Sequence, residues 1–88
     1  MDLFCSNLPE GVSEERVRQI FADFGQVSEI EFHAGFSVEG TWRAHAYVTM
    51  PNDSEAAAAV RALGGTPWCG RRLCVAMTYR RPEASVRV

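Results

Sequence analysis

Two hydrophobic periods alternate along this chain, and the places where one gives way to the other divide it into six elements. Residues 2–6 are a short apolar run rich in strand formers, closed by Asn7-Leu8-Pro9-Glu10-Gly11, a loop signal. Ser13 then caps a predicted helix whose first turn carries Glu14 and Glu15, favourable at the positive end of the helix dipole, with Val12 set to staple against Val17. Val17, Ile20, Phe21 and Phe24 follow at i, i+3, i+4 and i+7 as one apolar stripe, and Gly25 suits the left-handed position after the last turn. From Val27 to His33 the period falls to two, with Ile30 and Phe32 set against Glu29, Glu31 and His33. Residues 34–41, with Gly35 and Gly40, read as a long hairpin loop.

The period of two resumes from Arg43 to Met50. Ala44, Ala46, Val48 and Met50 share one face, and Arg43, His45, Tyr47 and Thr49 share the other. Pro51 stops the strand, and Asn52 with Glu55 three residues on is a capping signature for an alanine-rich helix. That helix packs through Ala56, Ala59, Val60 and Leu63 and ends at Gly64-Gly65. Residues 66–70 read as a turn, and residues 72–78 alternate again, Leu73, Val75 and Met77 opposing Cys74 and Ala76. The order β-α-β-β-α-β is the α+β, ferredoxin-like arrangement: a four-stranded antiparallel sheet with two helices on one face. The domain is expected over residues 1–79, with a polar tail over 80–88.

Composition narrows the classes. An 88-residue chain with 47% hydrophobic and 23% charged residues is an ordinary single globular domain. Its longest uncharged stretches are nine residues, against roughly 18 to 20 for a bilayer span, so no membrane is expected. Nothing near Asp2 reads as a secretory leader, which sets the expectation of a reducing, cytoplasmic location. Three cysteines at unequal gaps (Cys5, Cys69, Cys74) match neither a disulfide framework nor a zinc site, and no metal, cofactor or small-molecule substrate is called for. Cys5 falls on the buried face as a small core residue, and Cys74 faces the other way.

The net charge of −2 hides an asymmetry. Residues 1–42 hold two arginines against eight acids, and residues 43–88 hold seven arginines against three acids. Every basic residue is arginine, which suits stacking and bidentate phosphate contacts and is equally what a GC-rich genome writes.

Two segments carry more than the topology does. Leu3-Phe4-Cys5-Ser6-Asn7-Leu8 resembles the six-residue ribonucleoprotein motif of the RNA recognition motif family. Arg43-Ala44-His45-Ala46-Tyr47-Val48-Thr49-Met50 is similar to its eight-residue partner, with Ala44 where glycine is usual, His45 where Phe or Tyr is usual, and Met50 in place of the last aromatic. Phe21-x-x-Phe24-Gly25-x-Val27, Ala59-Val60-x-x-Leu63-x-Gly65 and Trp68-x-Gly70-Arg71-x-Leu73-x-Val75 agree with the family at the expected separations, so the resemblance covers about residues 2–79.

The resemblance implies a binding module for single-stranded RNA without chemistry of its own. The first and third strands are the central pair of this fold, which puts Phe4 and Tyr47 side by side on the helix-free face for bases to stack on. His45 assists on the same face, its charge below about pH 6.5 adding attraction for phosphate. Arg43 contacts the backbone, and Asn7, Arg72 and Arg80 complete the expected contacts. Glu31, on the opposite edge, repels phosphates and is expected to meet amino groups on base edges. With one such module, a homodimer or a protein partner is the expected route to avidity.

Some placements stay open. Phe36 and Trp42 are either loop packing or an additional stacking arm. Tyr79 or Pro82 is an alternative cover for the sheet face, and His33 reads as a loop-edge residue. A protein- or peptide-interaction module on the same fold is the alternative function, supported by a pI near 5.6 and an acidic first helix. The family's variant that captures a partner tryptophan carries Arg-x-Phe before the last strand, where this chain has Thr66-Pro67-Trp68. An acylphosphatase-like hydrolase needs an arginine in the loop after the first strand, and residues 7–12 have none.

Overall fold

The structure, a computed structural model, describes residues 1–78. Its elements run β1 (Asp2–Ser6), α1 (Glu14–Ala22), β2 (Glu29–Phe36), β3 (Trp42–Thr49), α2 (Asp53–Leu63), β4 (Pro67–Trp68), β5 (Arg71–Arg72) and β6 (Cys74–Thr78). The main sheet is antiparallel in the order β2-β3-β1-β6, which is the expected ferredoxin-like topology with β1 and β3 at its centre.

The caps are those the sequence specifies. The Ser13 side chain accepts the Arg16 N–H at 3.2 Å, and Asn52 Oδ1 accepts the Glu55 N–H at 3.0 Å. Both helices turn their apolar stripes to the sheet, closing a core of Leu3, Cys5, Leu8, Val17, Phe21, Ala44, Ala46, Val48, Met50, Ala56, Ala59 and Leu73. Fully burying a side chain such as Phe21 or Leu3 contributes about 1.5–3 kcal/mol, and α2 adds the buried alanines Ala56 and Ala59. Burial pushes the Cys5 thiol up to about 12, with Cys74 a smaller cause, so Cys5 is an inert core residue. Met50, in place of the family's last aromatic, is fully buried.

The structure departs from the sequence reading in four places. β2 continues through Ala34, Gly35 and Phe36, which pair with Ala44, Arg43 and Trp42, so the long loop shrinks to residues 37–41. Ser37 closes that loop, its N–H donating to the Thr41 carbonyl at 2.8 Å and its hydroxyl accepting the Thr41 N–H at 3.1 Å. Gly25 is not left-handed. Asp23 caps α1 in helical geometry, and Gly25 is small because Glu55 of α2 lies against it while accepting the Gln26 N–H at 3.2 Å.

The turn at residues 66–70 is part of a small hairpin, β4 with β5, in which Pro67 pairs with Arg72 and Trp68 with Arg71. Its two-residue loop, Cys69 at φ 51 and Gly70 at φ 85, is left-handed at both positions, as a type I′ turn requires. The last long strand consequently starts at Cys74 rather than Arg72.

Candidate functional site

The helix-free face is fixed by register. Alternation along β1 sends Leu3 and Cys5 to the core and leaves Asp2, Phe4 and Ser6 on the open side. Phe4 pairs with Tyr47 of β3 and Ala76 of β6, and Tyr47 pairs with Glu31 of β2, giving one row across the whole sheet: Glu31, Tyr47, Phe4, Ala76. The next row is His33, His45, Ser6 and Cys74.

Four rings join across these rows. The Phe4 and Tyr47 centroids are 5.1 Å apart at 49°, and Phe4 lies 5.6 Å from His45. His45 meets Tyr47 edge-on at 5.9 Å and stacks on His33 at 5.1 Å. Phe4, Tyr47 and His45 are half-buried and His33 is exposed. Among the described residues, the side chains beside Phe4 toward β6 are small, Ala76 opposite it and Ser6 in the next row.

Charge is separated along the strands. Asp2 and Glu29 lie in the row at one end of the face, where Asp2 Oδ1 accepts the Thr49 hydroxyl at 2.7 Å, and Glu31 lies at the β2 edge of the ring-bearing row beside them. Arg43 lies at the other end, beyond His45. Glu31 Oε2 sits 2.6 Å from His33 Nε2 and holds that ring in the stack. Burial lowers the His45 pKa first, His33 lowers it further, and Glu31 pulls it back up. His45 therefore becomes charged only below the ordinary histidine value near 6.5.

The remaining expected contacts are placed as follows. Asn7 ends β1 in a left-handed conformation, φ 62, and ties to the small hairpin: Nδ2 donates to the Arg72 carbonyl at 2.8 Å, and Oδ1 accepts from Arg71 Nη1 at 3.1 Å. The Arg72 guanidinium is turned away onto the Gly65 carbonyl at 2.7 Å. Arg80, with Tyr79 and Pro82, lies outside the described residues. The Trp42 indole N–H donates to the Leu8 carbonyl at 3.0 Å, and Phe36, 61% exposed, packs on it edge-on at 5.2 Å.

Two residues join the site that the sequence reading left out, His33 and Arg71. His33 shares the parity of Glu29 and Glu31, so extending the strand by three residues places it on the open face. Arg71 follows from the type I′ turn, which decides which arginine of the adjacent pair points toward Asn7. Arg71, Arg43, Asn7, Trp42, Phe4 and His45 line a groove of about 460 Å³ at the end of β1.

Known proteins share this arrangement. RbpB of Nostoc sp. (strain PCC 7120), a protein named for RNA binding, is 35% identical over 75 residues, covering 85% of this chain and 72% of its own length. RbpA of Synechocystis sp. (strain PCC 6803), named likewise, is 33% identical over 85 residues, covering 97% and 83%. Among solved structures, the RNA-binding protein PG1 superimposes with a TM-score of 0.76 at 26% identity, over 93% of this chain and 98% of that one. The Rna15 RNA recognition motif, solved with bound RNA (GU), has the same fold at a TM-score of 0.77 and 18% identity, over 97% and 92%. The family model for the RNA recognition motif matches residues 3–73, a span that holds both motif strands, both helices and the small hairpin, and the chain belongs to the RNA recognition motif family.

Proposed function

We propose that this protein binds single-stranded RNA on the open face of its sheet and acts by binding, without chemistry of its own. The observation that carries the reading is the contiguous ring cluster of Phe4, Tyr47 and His45 on the two central strands, left uncovered by either helix. A solvent-facing aromatic group of this kind contributes little to the core, whereas unpaired bases stack on it for about 1–3 kcal/mol each. Phe4 and Tyr47 take one base each, with His45 beside them. Arg43, at the basic end, meets the sugar-phosphate backbone, so base edges point toward Glu31. The family membership and the relatives named for RNA binding support the same reading.

The test is backbone amide chemical-shift mapping during titration with short single-stranded RNA. Shifts concentrated on β1, β3 and the adjoining β2 and β6 residues are expected. Shifts confined to α1 and α2, or none at low salt, would contradict the reading and favour a protein-interaction module.

A further inference from the structure

The groove at the end of β1 exists because β1 stops at Ser6, opposite His45, while β3 runs on through Ala44, Arg43 and Trp42 without a β1 partner. Two arginines line that gap, Arg43 from β3 and Arg71 from the small hairpin. Neither is ion-paired with a carboxylate among the described residues. Arg43 is exposed and Arg71 is half-buried.

Arg71 is also held in place. Asn7 occupies the left-handed region, which asparagine tolerates better than most residues, and this turn aims its side chain at the hairpin. Its amide donates to the Arg72 carbonyl and accepts from Arg71 Nη1, spending one of the five guanidinium N–H groups and leaving the rest for a ligand. Two guanidiniums without a carboxylate partner among the described residues, one of them oriented before any ligand arrives, suit an anion with several acceptor oxygens. The groove also contains Phe4, so a base stacked on that ring places its own phosphate within the groove's reach.

We propose that this groove is a phosphate subsite in which Arg71, positioned by Asn7 and accompanied by Arg43, grips one phosphodiester of the RNA strand whose base stacks on Phe4. The inference rests on the RNA-binding reading and adds to it a fixed anchor point on the strand. One linkage, rather than the backbone at large, then carries a disproportionate share of the electrostatic binding.

The experiment is a scan of a short RNA oligomer in which each phosphodiester in turn is replaced by an uncharged methylphosphonate, titrated against wild type and variants. In wild type one linkage is expected to stand out, its neutralisation weakening binding about tenfold. Arg71→Ala weakens the unmodified oligomer by a similar factor, lowers the salt slope by about one, and no longer responds to neutralisation of that linkage. Arg71→Lys keeps the salt slope and loses affinity, because the charge remains without the fork. Asn7→Gly preserves the left-handed backbone and removes the orienting amide, so it gives a partial loss that adds nothing to Arg71→Ala. Wild-type binding with Arg71→Ala unchanged in affinity and slope, or the same linkage profile in both proteins, overturns the subsite alone. Absence of binding by wild type to any oligomer overturns the RNA-binding reading, and the subsite falls with it.

Discussion

Phe4 and Tyr47 are register partners on the two central strands, their ring centroids 5.1 Å apart at 49°. The platform is therefore set by backbone pairing, and neither ring depends on a loop for its position. Leu3 and Val48, the adjacent pair, are fully buried on the other face, so the packing that anchors the core also fixes the register of the platform.

Glu31 sits one register step from that pair, opposite Tyr47, with its carboxylate 2.6 Å from His33 Nε2. A carboxylate beside a stacked base accepts from an exocyclic amino group, which cytosine has and uracil lacks. Glu31→Lys is expected to raise affinity for all oligomers by removing repulsion of phosphate. It should also lower the preference for oligo-C over oligo-U, by about fivefold or more if the contact is worth ~1 kcal/mol. Competition titrations with the two homopolymers read this ratio directly, and an unchanged affinity and ratio would remove Glu31 from base recognition.

His45 is harder to protonate in the fold than in the unfolded chain, first because of its burial and then because of His33, with Glu31 opposing. Between the lowered value and the ordinary one near 6.5 the unfolded state binds more protons, so stability rises with pH across that interval. The contribution is complete above about pH 6.5 and is lost as pH falls through the folded value. Urea denaturation of wild type from pH 7.5 down to 5 should show this slope, small because the ring is only half-buried and solvent screens it. His45→Phe should flatten it and, by offering a larger stacking surface, strengthen RNA binding severalfold at pH 7.5. An unaltered slope in the variant would assign the pH dependence to other groups.

Gly25 is a contact point between the α1–β2 loop and α2. A Cβ there would lie 2.6 Å from the Glu55 Cβ and would strike its carboxylate, which is held by the Gln26 N–H. Gly25→Ala is expected to cost about 1–3 kcal/mol in urea denaturation, with RNA affinity of the folded protein unchanged. Adding Glu55→Ala should recover only part of the loss, because the clash with Cβ remains. A fully neutral Gly25→Ala would mean that the loop shifts freely.

The elements with a strong period were legible in the sequence. Leu3-Phe4-Cys5 and Ala44 to Met50 alternate cleanly because one sheet face is sealed by helices and the other is not. The ends were not legible, for local reasons. Gly35 reads as a turn residue, yet it pairs with Arg43 in the exposed last part of β2, where no core demand writes a pattern. Gly25 suggests a left-handed cap, but the requirement comes from Glu55, thirty residues away and invisible to a local rule. Asn7 was noticed as a candidate contact and is placed as the tie to Arg71. Which of Arg71 and Arg72 faces the groove depended on two left-handed residues, Cys69 and Gly70, of which only the glycine announces itself.

Everything proposed for this face depends on the Phe4 and Tyr47 rings serving as an RNA platform. Fluorescence anisotropy of short randomised and homopolymer RNA against wild type and the Phe4→Ala/Tyr47→Ala double variant, at two salt concentrations, tests it most directly. Salt-sensitive binding by wild type is expected, with a loss of roughly 2–6 kcal/mol at most in the double variant, while circular dichroism shows it folded. Equal binding by the two proteins, or no binding by wild type at low salt, would contradict it.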